Sequence, residues 1–406
     1  MTRTERQLLA IKNWKASGGC SSIVAATGVG KTRIALMTID RILEIKPETV
    51  IRIIVPTKVL KKQWEEQLKG KKGDIEVLVI NSAIKKDFYC NFLILDEAHR
   101  YNSSQGRMVF CRTNPRLILG LTATYERLDA AEKEVMDKYC PVCDTITLKE
   151  ALENGWLAPY KEYKVYINVD LTEYNRANQE FIQHFSFFDF DFKKAMDAVT
   201  SISKRQEIAK QVGTTVKEVS AHAFGWKKAL TFRKNFVANH PKKIEVANRI
   251  IEARKDKKII TFNSSIEQCK KYGNGVIVSS KQSKKENQRI LKGFAEQKTG
   301  VIHSSKMLIE GLDCPGLSVE IIAGFNSSKC AKTQSVGRCI RFEEGKQAEI
   351  FTLVIKGTVE DQWYKKANED NNFIEINEEE LELVLKGELD KKAKTQQKIN
   401  NEILRY

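Results

Sequence analysis

Short apolar runs separated by longer stretches of helical period dominate the first part of the chain. "SSIVA", "VIRIIV", "IEVLVI", "FLILD" and "LILGLTA" are five such runs, and the segments between them repeat apolar residues at helix-like spacing. That rhythm predicts a parallel sheet covered by helices. A second series follows in "KIITF", "GVIVSS", "GVIHSS", "VEIIAG" and "AEIFTLVI", again with charged, helix-like spacers such as "SKKENQRILKGFAEQ". The pattern of runs predicts the same architecture twice, although no internal sequence repeat is visible.

Between the two series, from about Asp170 to Lys243, aromatic and charged residues mix at helical spacing and no strand-like run stands out. This stretch reads as a helical insertion. Its segment "FIQHFSFFDFDFKKAM" carries Phe181, Phe185, Phe187, Phe188, Phe190 and Phe192. Such rings can stack on bases or wedge a duplex, but clusters of this kind more often pack between helices. "NGWLAPY" (Asn154 to Tyr160), with its Gly and Pro, marks the exit from the first lobe. The expected division is a first domain over 1–160, a second over 161–375 carrying the insertion at about 171–243, and a charged helix or tail over 376–406.

A length of 406 residues fits two domains better than one core. The 42% hydrophobic and 30% charged composition is that of a soluble globular protein. Lys and Arg number 68 against 52 Asp and Glu, a formal charge of +16 that favours a polyanionic partner, nucleic acid first. The nine cysteines are mostly scattered and suggest no disulfide framework; "CPVC" (Cys140 to Cys143) lacks the second pair that a zinc site needs. No metal beyond magnesium is expected. The N-terminus has no apolar signal core, and no run reaches the length needed to span a bilayer, so no membrane association is expected.

Candidate chemistry begins at "AATGVGKTRIAL", where a strand runs through a glycine-rich turn into a helix. That is the context a phosphate loop requires. Gly28 and Gly30 can take backbone angles that turn successive N–H groups of Thr27 to Thr32 and the helix N-terminus toward phosphates. Val29 lies between them. Lys31 can reach the β and γ phosphates of a nucleotide, and the Thr32 hydroxyl can ligate magnesium. Ala25 replaces the usual first glycine. "FLILDEAH" is an apolar strand that delivers two carboxylates at its C-terminal end, where ligands sit in open α/β sheets. Asp96 can hold the magnesium, and Glu97 can orient and deprotonate the attacking water.

Gln7, "AATGVGKT", "VPTKVLKKQW", "LILDEAHR", "GLTATYERLD", "LIEGLDCPGL" and "QSVGRCIR" occur in the order and spacing of helicase motifs. The chain resembles the superfamily 2 DEAH-type DNA helicases and translocases, in particular the group that includes XPB, the phage branch-migration helicase UvsW and restriction-enzyme motor subunits. The resemblance covers roughly residues 1 to 170 and 240 to 365. It implies two tandem RecA-like α/β domains and ATP with Mg2+ as cofactors. It also implies an adenine-reading role for Gln7, a linking role for His99 and a coupling role for Thr122 and Thr124. Gln334 matches a position facing the γ phosphate, and Arg338 and Arg341 match arginine fingers that cross the cleft from the second lobe. Gly311 and Asp313 resemble a turn that contacts ribose. Strand-end capping is the plain structural alternative for the threonines.

By the same resemblance, Pro56, Thr57, Lys58, Asn81 and Ser82 in the first lobe contact one strand's phosphates, as do Asn263, Ser264, Ser304 and Ser305 in the second. Such small donors carry no base information, so the grip is independent of sequence. The expected activity is ATP-driven movement along one DNA strand that unwinds or branch-migrates forks and junctions, by a monomer in the cytoplasm of a bacterium or a phage-infected host. A restriction-type motor subunit, an RNA helicase and a poorly hydrolysing DNA-binding scaffold are the alternatives.

Overall fold

The computed structural model describes residues 1–103, 106–123, 125, 130–305, 314–324, 339–340, 343, 345–367 and 373–388. Two parallel sheets in tandem organise them. The first holds Cys20–Ala25 (β1), Ile51–Val55 (β2), Ile75–Val79 (β3), Phe92–Asp96 (β4), Leu117–Thr122 (β5) and Val142–Ile146 (β6), in the order β3-β2-β4-β5-β1-β6. The second holds Tyr160–Ile167 (β7), Lys258–Asn263 (β8), Val276–Val278 (β9), Gly300–Ser305 (β10), Leu317–Ile322 (β11), Ala348–Ile355 (β12) and Ile374–Ile376 (β13), in the order β13-β7-β12-β11-β8-β10-β9. All ten apolar runs read from the sequence lie on strands.

Both sheets are covered by helices, as all-parallel sheets require. Ala10, Ile11 and Trp14 of the helix Arg3–Ala16 and Ile34, Ala35 and Ile39 of the helix Lys31–Ile45 enter one core with Ile23, Phe92 and Ile94. The first of these helices starts in a capping box, with Thr2 and Glu5 satisfying each other's backbone N–H groups. Sheet membership changes between β6 and β7, across the short helix Leu148–Glu153 and the buried Trp156 and Leu157.

The region between β7 and the helix Pro241–Ala253 is helical, with segments Thr172–Ser186, Phe192–Thr200, Ile202–Val212 and Val216–Asn239. It has its own core around Phe188, Ala195, Ile208, Val219 and Trp226. Gly225 explains how the two longest of these helices come so close: a Cβ there would lie 2.3 Å from Nε2 of His184. The helix Glu378–Leu385 docks through Leu381 and Val384. Residues 389–406 lie outside the described residues. Among the described residues no helix is long and apolar enough to cross a membrane.

Candidate active site

β4, β5 and β1 are neighbours, and their C-terminal ends finish level: Asp96 pairs with Leu121, and Thr122 pairs with Val24. Three chain segments thereby converge at one edge of the first sheet, namely the glycine-rich turn after β1, the acids after β4 and Thr122 at the end of β5.

Gly28 and Gly30 have φ of 93° and 99°, angles that side chains rarely tolerate. Gly30 then starts the helix that opens with Lys31 and Thr32. The carbonyls of the turn are held from behind. Arg3 donates from Nη2 to the Gly28 carbonyl at 2.5 Å and from Nε to that of Val29 at 2.8 Å, and Gln7 Nε2 donates to the same Val29 carbonyl at 2.8 Å. Gln7 Oε1 and Thr27 Oγ1 are buried without a hydrogen-bond partner, so each has unused capacity beside the turn.

Asp96 is buried, and both its oxygens are engaged. The Trp64 indole N–H donates to Oδ2 at 2.9 Å, and the Glu97 backbone N–H donates to Oδ1 at 3.1 Å. Burial, then the adjacent Glu97 carboxylate, pushes the Asp96 carboxyl up to about 6. Each carboxylate oxygen still has a lone pair for a metal-bound water. Glu97 has φ 53°, a left-handed backbone angle uncommon for a residue with a side chain. Its Oε1 lies 3.4 Å from Lys31 Nζ, and its Oε2 is buried without a hydrogen-bond partner. His99 Nδ1 sits 3.0 Å from Thr122 Oγ1, which ties the segment after β4 to the end of β5. Burial lowers the His99 imidazole to about 4, so it is neutral at physiological pH.

These orphaned atoms fit a bound nucleotide and its ion. Gln7 Oε1 can accept from a purine amino group, Thr27 and the turn's N–H groups can face phosphate, and Thr32 with Asp96 supplies the hard oxygen ligands that Mg2+ takes. Thr124, Gly311, Asp313, Gln334, Arg338 and Arg341 lie outside the described residues.

The nine positions expected to meet a nucleic-acid backbone divide. Lys58, Asn81 and Ser82 are exposed, and Pro56, Thr57 and Ser264 are half-buried. Thr57 uses its hydroxyl to cap the helix Lys58–Gln67. Asn263, Ser304 and Ser305 are buried at the C-terminal ends of β8 and β10. Asn263 donates to Thr261 Oγ1 at 2.7 Å and accepts from the Tyr272 hydroxyl at 2.9 Å, so its amide is consumed internally.

Three residues around this site carry weight that sequence reasoning missed. Arg3 lies one helical turn before Gln7, so i, i+4 spacing was the available signal. Arg6 pairs with Asp144 at 2.7 Å and Glu150 at 2.6 Å, anchoring the Gln7 helix to β6 and the helix Leu148–Glu153. Trp64 meets Asp96 across 32 residues of sequence, and no local pattern announces that contact.

Two known families match separate parts of the chain. The family described as "Type III restriction enzyme, res subunit" matches residues 1–91, and "Helicase conserved C-terminal domain" matches residues 242–343. The chain is similar to the DNA 3'-5' translocase XPB2 of Sulfurisphaera tokodaii, 27% identical over 383 residues, covering 87% of this chain and 82% of that protein. It is also similar to a type I restriction enzyme EcoAI endonuclease subunit of Escherichia coli, 28% identical over 179 residues, 37% of this chain and 22% of that one. In fold it is similar to the Pyrococcus furiosus Hef helicase domain, with TM-score 0.54 and 17% identity over 89% of this chain and 97% of that one.

Proposed function

Since the chain belongs to the superfamily 2 helicases, related to XPB and to restriction-enzyme motor subunits, and is an ATP-hydrolysing enzyme with two tandem RecA-like lobes, we propose that it moves along one DNA strand and unwinds or branch-migrates forked and four-way DNA in replication, recombination or repair. It acts as a soluble cytoplasmic monomer. The observation that carries this reading is the convergence of Lys31, Asp96, Glu97 and the orphaned atoms of Gln7 and Thr27 at one sheet edge.

In this reading Gln7 holds the adenine and the turn from Thr27 to Thr32 holds the phosphates. Thr32 and Asp96 hold Mg2+, which when bound neutralises charge developing on the phosphates. Trp64 fixes the Asp96 carboxylate, and Glu97 takes the proton of the attacking water. Arg338 and Arg341, with Gln334, reach the γ phosphate from the second lobe, while Gly311 and Asp313 meet the ribose. His99, Thr122 and Thr124 pass the nucleotide state to the lobes, and closure shifts one set of backbone contacts relative to the other. Lys58, Asn81, Ser82 and Ser264 grip the track, and the helical insertion is a thumb beside it. A base-pair step resists by only about 1.4 kcal/mol of stacking on average, and exchanging one duplex for another costs almost nothing net.

The test compares turnover with single-stranded DNA, RNA and no nucleic acid, and strand separation on forked, four-way and overhang substrates. Stimulation by DNA and separation of branched substrates are expected. Turnover no higher with DNA than without it sinks the motor. The match of the first lobe to a restriction subunit family favours one second reading, a motor within a larger complex; strand separation by the isolated chain speaks against it.

A further inference from the structure

The phenylalanines of the insertion do not share one fate. Phe188 is buried, and Phe181, Phe185 and Phe187 pack into the insertion's core. Phe185 stacks on Trp226 with 5.6 Å between ring centres. Phe190 and Phe192, by contrast, are 59% and 53% exposed. Each still rests edge-on against that inner pair, Phe190 on Phe185 at 5.5 Å and Phe192 on Trp226 at 5.3 Å. Anchored edges with open surface make rigid platforms. Burial, the ordinary explanation for such rings, does not apply to these two.

The backbone presents them under strain. Asp189 and Phe190 have φ of 54° and 57°, where a bulky residue is a rare outlier. The strain gains no burial, since Phe190 stays in solvent. The acids of the turn are used internally: Asp189 accepts from Lys194 Nζ at 2.8 Å, and Asp191 caps the next helix by accepting from the Lys193 and Lys194 N–H groups. Lys193 remains exposed beside the rings, on a chain of formal charge +16. A polyanion with flat apolar faces suits this surface better than a neutral peptide does.

The turn's place in the fold points the same way. The helix Thr172–Ser186 is rooted on the second lobe, where Tyr174 packs with Val237 and Ile355 and its hydroxyl accepts from the Val359 N–H at 2.8 Å. Fifteen residues carry the chain about 20 Å from that root to the turn. The return helix ends at Asn239, whose Oδ1 accepts from Ser265 next to Ser264. We propose that Phe190 and Phe192 are a stacking platform for unpaired bases, held out from the lobe edge that carries Ser264. The assignment rests on the reading of the chain as a nucleic-acid motor.

The test uses the full chain without nucleotide and a forked DNA with 2-aminopurine in its single-stranded arm. The Phe190→Ala/Phe192→Ala double variant is expected to bind the fork about tenfold or more weakly and to lose the quenching of 2-aminopurine. Its ATP turnover without DNA stays at the parental level. Phe190→Gly removes a ring and the strain together, so it should melt at an equal or higher temperature and still lose signal, which separates function from folding. Parental affinity and quenching in both variants overturn the platform, as does self-association of the parent that the variants lose while fork binding persists. Stacking intact but turnover unstimulated by DNA rejects the motor and keeps the platform; the converse keeps the motor and rejects the platform.

Discussion

Asp96 accepts hydrogen bonds from Trp64 and from the Glu97 backbone before any ion is considered, so its carboxylate is oriented by the protein itself. Trp64→Phe keeps most of the ring volume and removes the donor. A hydrogen bond to a charged group is worth about 1.5–3 kcal/mol, and a loss of that order should appear in urea unfolding. Weaker binding of Mg2+ with ADP, and unchanged binding of ADP alone, should accompany it. Glu97→Gln is expected to preserve nucleotide and DNA binding while stopping turnover, since only the water-activating charge is removed; loss of binding in a filter assay would refute that role. His99 gives a pH signature. Its imidazole titrates near 6.5 unfolded and about 4 in the fold, so below pH 6.5 the unfolded chain takes up a proton that the folded one refuses. His99 therefore contributes stability that is lost as pH falls from 6.5 to 4, while the raised Asp96 carboxyl contributes with the opposite sign over nearly the same range; the difference between the parent and His99→Gln in equilibrium unfolding should isolate the histidine's share and grow as pH falls.

At the scale of elements, the helix Pro241–Ala253 is joined to the helix Val359–Ala367 by Lys243 and Glu360, both fully buried with 2.5 Å between charged atoms. Lys243 also donates to the Ala323 carbonyl at 3.0 Å, just beyond β11. Burial lowers the lysine and raises the glutamate, and the charge of each partner opposes that shift in the other. Glu360→Gln leaves an unpaired buried cation and should destabilise by about 3–5 kcal/mol, whereas replacing both residues with Met should be far milder; calorimetry of the single and double variants checks it. Buried charge also explains which strands were legible in the sequence. β4 opens on four consecutive apolar residues, Phe92 to Leu95, and β1 carries Ile23, Val24 and Ala25, so both could be read directly. β7, "YKEYKVYI", looks like surface, yet it lies between β12 and β13 with Lys164 paired to Asp361 at 2.6 Å and Glu162 accepting from the Tyr364 hydroxyl at 2.7 Å. Those partners lie about two hundred residues downstream, where no local periodicity reaches. β6 was hidden in the same way, because Asp144 is polar in sequence and is answered by Arg6 and Asn13, more than 130 residues upstream.

For the whole molecule, the first-lobe motifs were readable because the glycine-rich turn, the two acids and Thr122 follow or end strands that hydrophobicity alone identifies. The burial of Asn263, Ser304 and Ser305 was not, since it depends on tertiary contacts such as that of Tyr272 with Asn263. The same limit applied to the Phe cluster, which only tertiary packing divides into core and surface. DNA affinity should fall steeply with salt, the slope of log affinity against log salt being roughly 0.7 for each single-strand phosphate contacted; a flat response in a titration from low to high salt would remove the electrostatic case for the track. The ion pair between Lys31 and Glu97 has a further consequence at this scale. At 3.4 Å the amine and the carboxylate offset part of each other's charge. Under the roles proposed above, a phosphate that draws the amine away also frees the carboxylate to meet water, so a single contact would couple recognition to readiness.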